Sequence, residues 1–194
     1  MSTSTSTFTS DTKHLTVLPV TKPSANIKEP PRKKVAAKSD EWVEISSQYS
    51  TQESQQNIIV TLQYQDPTDN PAKQILLNHL KTKHSGYRQQ DTLKGFYDPT
   101  RFIQVTDIIA LLVASNLSCF YCRKWATIFY QNVRDPRQWS LERLSNAEGH
   151  NRGNVVIACL ECNMRRRTMY YERYVATKQL KVNKLESCED EKTI

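Results

Sequence analysis

The residues best suited to chemistry lie between Cys119 and Arg167. Two Cys-x-x-Cys pairs, Cys119/Cys122 and Cys159/Cys162, have 36 residues between Cys122 and Cys159. A two-residue gap lets both sulfurs of a tight turn reach one tetrahedral ion at about 2.3 Å, so four thiolates in two such pairs predict a structural zinc site. Four buried free thiols or redox pairs explain this spacing less well. Four thiolates leave no open position on the ion, so zinc here would be a scaffold rather than a catalyst. The second pair runs into Asn163 and then Arg165, Arg166 and Arg167.

Charge points the same way. The chain has 194 residues and a formal charge of +7. Residues 118–180 carry nine arginines and two lysines against five acids, +6 of that total. Guanidinium forks match phosphate oxygens, so Arg152, Arg165, Arg166, Arg167 and Arg173 are candidate backbone contacts to nucleic acid. A solvated basic face is the plainer alternative. The fifth cysteine, Cys188, is alone. An odd count with no secretory signal favours an intracellular, reducing compartment over a disulfide framework. No run approaches the roughly 18 apolar residues of a membrane helix; Ile108–Ala114 is far too short.

These side chains need elements to hold them. Residues 1–57 are rich in Ser, Thr, Gln and Pro and read as a disordered arm. Within it, Arg32-Lys33-Lys34 could serve nuclear import or touch DNA, and Trp42, Val43 and Ile45 form an apolar island that could dock on the domain. Residues 58–117 read as the helical N-terminal part of the domain. Residues 58–68 partly alternate and suggest a strand or a short apolar lead-in. Asn70-Pro71 starts a helix over 71–83, ended by Gly86, with His79 and His84 capping it or facing solvent. Residues 85–104 read as a loop, whose aromatics either stack on bases or anchor it to the core. Thr106 caps a core helix over Asp107–Ser115.

Residues 118–180 form the zinc module. Trp139–Leu144 and Val155–Ala158 read as strands joined by a polar loop, and Asn163–Leu180 as a helix. The order is knuckle, strand, loop, strand, second cysteine pair, helix. The fold class is α+β: a treble-clef zinc finger with a ββα unit, preceded by two helices and the arm. Residues 181–194 form a C-terminal tail.

The CxxC…LER…GN-VV-IACLECN order over Leu117–Thr168 resembles HNH, or His-Me finger, endonucleases of the four-cysteine type. The likeness is to endonuclease VII-like resolvases and to HNH proteins of phages and large DNA viruses, and it covers roughly a quarter of the chain. It implies that Glu142 is the acid and Asn163 the amide holding a catalytic Mg²⁺ or Mn²⁺, and that Asn154 pins the loop. Arg143 falls where the family has its general-base histidine. Arginine cannot take a proton at physiological pH, but it can clamp a phosphate. His150, seven residues on, is the alternative base.

The resemblance implies hydrolysis of DNA, branched or single-stranded, with RNA also open, in the nucleus or at a site of viral replication. A second possibility is a nuclease-derived module that binds nucleic acid without cutting, in transcription or packaging. A third is a protein–protein zinc adaptor, which the arginine excess disfavours. Oligomeric state is not legible.

Overall fold

The structure is a computed structural model and describes residues 39–64 and 70–180. Most of the N-terminal arm, the Arg32-Lys33-Lys34 cluster, Cys188 and the C-terminal tail lie outside the described residues. The described fold is α+β, with six helices and one two-stranded antiparallel sheet.

Two helices occupy sequence expected to be arm or strand: α1, Asp40–Gln48, and α2, Gln52–Gln63. The signal for α2 is local. Thr51 and Ser54 form a reciprocal capping box, each side chain accepting the other's backbone N–H. The run Ile58-Ile59-Val60 is too apolar to show a period of two, so it suits a helix as well as a strand. Ile58 and Ile59 are buried, and α2 packs on α4. Trp42 of α1 is 2% exposed and donates its indole N–H to the Tyr130 carbonyl at 2.7 Å. Gln55 accepts N–H groups of Ile128 and Phe129 at 2.7 and 3.3 Å. These contacts fasten residues 40–63 to the loop that leads into the sheet.

The helix α3, Pro71–Lys94, starts as expected, with Asn70 accepting the Ala72 N–H at 2.9 Å. It does not stop at Gly86. It continues through the first half of the expected loop and ends at Gly95, whose φ of 70° is the left-handed conformation glycine tolerates. An interior glycine costs only about 1 kcal/mol. Packing of Tyr87 and Asp91 against the far half of the chain offsets that. His79 is buried between Trp42 and Trp139 rather than facing solvent. His84 donates from Nε2 to the Ile103 carbonyl at 2.9 Å.

The core helix is α4, Val105–Ala114. Its cap is Gln104 rather than Thr106, with Asp107 accepting the Gln104 N–H at 2.9 Å. Ile108, Ile109 and Leu112 point into a core that also takes Ile59, Leu76, Leu80, Leu117 and Trp139. Four helices, not two, therefore precede the sheet.

The strands are β1, Trp139–Arg143, and β2, Val155–Cys159. They pair antiparallel with Leu141 opposite Ile157 and Glu142 opposite Val156. The single helix expected after Cys162 is two: α5, Leu160–Arg166, and α6, Tyr171–Gln179. The break is at Arg167, with φ of 52°. Burying Arg166 against β1 turns the chain there.

Candidate functional site

The four cysteines are brought together from two places. Cys119 and Cys122 sit in a turn after α4, closed by the Arg123 N–H to the Cys119 carbonyl at 2.9 Å. Cys159 ends β2, and Cys162 lies in the first turn of α5. All four Sγ atoms lie within 4.8 Å of one another, and Cys122 and Cys159 are 3.9 Å apart. Sulfurs around a tetrahedral ion with 2.3 Å bonds are about 3.8 Å apart. The group could hold a metal ion and is compatible with a structural zinc. Cys119, Cys159 and Cys162 are buried, and Cys122 is half-buried. A hydrogen bond from Cys159 holds Cys119 down to about 4, while that bond and burial push Cys159 up and burial pushes Cys162 up to about 12. One thiolate thus forms readily, while Cys159 and Cys162 resist. A bound dication reverses that resistance.

A second site lies along β1. Glu142, Arg143, His150 and Asn163 all line one cavity of about 370 Å³. Lys83 and Tyr87 of α3, Lys94 at its end and Arg167 after α5 complete its charged and aromatic walls. Asn163 donates to Ser140 Oγ at 3.1 Å, which fixes α5 over the strand. Arg143 donates to the Glu148 carbonyl at 2.8 Å and sits 5.8 Å over the Phe96 ring.

His150 has a partner that sequence reasoning missed. Asp91, fully buried near the end of α3, accepts the His150 backbone N–H at 2.6 Å and bonds its ring Nδ1 at 2.8 Å. A carboxylate only accepts, so Nδ1 carries the proton and Nε2 is the basic nitrogen. Burial nonetheless lowers the His150 pKa below the ordinary histidine value, against the pull of Asp91. The imidazole is therefore neutral at pH 7. The Tyr87 ring lies over it at 4.6 Å, and the Tyr87 hydroxyl accepts the Leu141 N–H at 2.9 Å. Burial pushes that hydroxyl up to about 12, so it stays protonated. Gly149 makes the approach feasible. A Cβ there would stand 2.6 Å from the Phe96 carbonyl oxygen and 2.7 Å from Asp91 Oδ2. Asn154 ties the same loop together, accepting the Ser145 N–H at 2.9 Å and donating to the Ser145 and Gly149 carbonyls at 3.1 and 3.0 Å.

The candidate phosphate-binding arginines divide. Arg166 is 2% exposed and cannot meet a phosphate. Its Nε donates to Glu142 Oε1 at 2.5 Å, and its remaining N–H groups go to Asn146 Oδ1 and the carbonyls of Arg143, Leu144 and Met169. Arg152 is half committed to Asp107 at 2.7 Å, which with the Gln104 N–H lowers the Asp107 pKa against burial. Arg165 pairs with Glu161 at 3.2 Å on the exposed face of α5. Arg167 and Arg173 are exposed and have no ion-pair partner among the described residues. Of the five, only Arg167 reaches the cavity.

The expected Mg²⁺ or Mn²⁺ at Glu142 and Asn163 does not fit this donor set. Glu142 is the one carboxylate lining the cavity, and it is already held by Arg166. Burial pushes its pKa up in spite of that pairing. Hard divalent ions need anionic oxygens, and here four cationic side chains, Lys83, Lys94, Arg143 and Arg167, face that single carboxylate.

No helix among the described residues is long and apolar enough to cross a membrane. Comparison with protein-family models, with curated proteins and with solved structures gives no match.

Proposed function

We propose that this chain is a phosphodiester-cleaving nucleic-acid enzyme built on a zinc-braced treble-clef ββα unit, in the manner of HNH endonucleases. The observation that carries the reading is His150: its Nδ1 is tied to buried Asp91, and it lines the same basic cavity as Arg143, Asn163 and Arg167. A neutral, oriented imidazole beside cationic side chains is what proton abstraction next to a phosphate needs. Cys119, Cys122, Cys159 and Cys162 would hold the zinc. Bound zinc would lock the turn after α4 to the junction of β2 and α5, and so set the register of the strand that carries Arg143. Arg143 then serves as a phosphate clamp, the task open to an arginine at that place. Asn163, one of whose two amide N–H groups goes to Ser140, would offer the other to the substrate's oxygens.

The test is incubation of the purified chain with supercoiled DNA, single-stranded DNA and RNA. Cleavage that is lost in His150→Ala while binding persists supports the enzyme. A second reading, a binding module derived from a nuclease, is favoured by arginine at the usual base position. Salt-sensitive binding with no cleavage of any substrate would establish it instead.

A further inference from the structure

We infer that the cavity works without a divalent metal ion and that the strand it cleaves is RNA, with the ribose 2′-hydroxyl as nucleophile; this rests on the phosphodiester reading of the site. The first ground is the state of Glu142. All five N–H donors of Arg166 are bonded, and its side chain is buried between β1, the following loop and the turn after α5. Arg166 cannot swing away to free the carboxylate for an ion without leaving several buried acceptors unpaired. Glu142 is therefore neutralised where it stands.

The second ground is the rest of the wall. Lys83, Lys94, Arg143 and Arg167 all line the cavity, against that one paired carboxylate. Such a field repels a dication and draws in a phosphodiester anion. The cations supply the charge stabilisation that a metal would otherwise give to the phosphate.

The third ground is the base. DNA hydrolysis by water draws on a metal to make the nucleophile potent at neutral pH. His150, oriented by Asp91, is neutral and able to accept a proton but is no Lewis acid. It suits a nucleophile already tethered beside its phosphorus, where proximity supplies much of the rate. The 2′-hydroxyl of RNA is such a group, and DNA lacks it. In the step, His150 Nε2 takes the 2′-hydroxyl proton and the 2′ oxygen bonds to phosphorus. The bond from phosphorus to the 5′ oxygen breaks, that oxygen takes a proton from water, and His150 returns its proton to solvent. The products are a 2′,3′-cyclic phosphate and a 5′-hydroxyl, with no oxidant or reductant consumed.

The experiment compares an RNA oligonucleotide with DNA of the same sequence in EDTA, with metal analysis confirming that the thiolate-bound ion is retained. The expected result is cleavage of RNA alone at a rate EDTA does not change, leaving 2′,3′-cyclic phosphate ends. One 2′-deoxy substitution should block cleavage at its own site and nowhere else, a readout that does not disturb the protein. His150→Ala should slow cleavage by about 100-fold or more. Cleavage that requires Mg²⁺, or that cuts DNA to leave 5′-phosphate ends, would overturn this inference and leave the phosphodiester reading standing. Binding of both polymers with no cleavage of either would overturn the inference and that reading together.

Discussion

Asp91 and His150 meet twice: one carboxylate takes both the backbone N–H and the ring Nδ1 of the same residue, at 2.6 and 2.8 Å. They stand 59 residues apart and come from a helix and a loop. A single bond would leave the ring free to rotate about it. Two bonds fix the residue's backbone and its tautomer together. Asp91→Asn can still pair with His150, but it offers one acceptor oxygen where the carboxylate offers two. Cleavage should fall by about 10-fold or more while nucleic-acid affinity holds, and the acid limb of the pH–rate profile should move. An unchanged profile would leave Asp91 with packing alone.

Stability should depend on His150 in a defined direction. Its folded pKa lies below the unfolded value of about 6.5. The unfolded chain therefore binds more protons in that window, and stability rises with pH. The contribution is complete above about pH 6.5 and is lost as pH falls through the folded pKa. Urea melts of wild type and His150→Asn between pH 7 and pH 5 should converge towards the acid end. Parallel curves would contradict the sign.

Arg166→Ala should destabilise the fold by about 3–5 kcal/mol, because it strands a buried carboxylate and several carbonyls. Glu142→Gln should cost less, since an amide oxygen still accepts from Nε. Chemical denaturation measures both. Equal costs would mean that Arg166 acts through Glu142 alone and that its carbonyl contacts contribute nothing.

Gly149→Ala places a methyl group 2.6 Å from a carbonyl oxygen and 2.7 Å from Asp91 Oδ2. Overpacking of this kind costs about 1–3 kcal/mol. The displacement falls on the dyad, so cleavage should drop more than thermal stability does. Ordinary cleavage in a merely less stable protein would separate the loop from the histidine.

Cys162→Ser should lower bound zinc from one ion per chain and loosen the junction of β2 with α5. Zinc release after thiol modification, read alongside circular dichroism, checks this. Full structure with no zinc would undo the scaffold. For the cavity, Arg167→Ala should weaken nucleic-acid binding and reduce the slope of log affinity against log salt by about one, whereas exposed Arg165, already paired, should matter less.

Local chemistry was legible and distant contact was not. The cysteine pairs, both strands and the start of α3 at Asn70-Pro71 follow from spacing, alternation and capping. The run 58–63 misleads because continuous apolar residues carry no period, and the Thr51–Ser54 cap that marks it as helical is easily passed over. Gly86 reads as a stop because its own cost is local, whereas what carries α3 past it is packing with residues beyond 138. Asp91 falls in a polar stretch whose letters say nothing of a partner 59 positions away. Arg166, Arg165 and Arg167 read alike in sequence. Only the turn at Arg167 sorts them into buried, paired and free.

The unbroken course of α3 from Pro71 to Lys94 bears on how this protein can be divided. Its first half packs in the helical core, and its last turns supply Tyr87 and Asp91 to His150. A fragment trimmed to the cysteine region would keep the histidine and the four thiols yet lose the carboxylate that orients the ring. Grafting or truncation must therefore begin upstream of residue 71, and the smallest competent piece is defined by a helix that the cysteine spacing gives no reason to include.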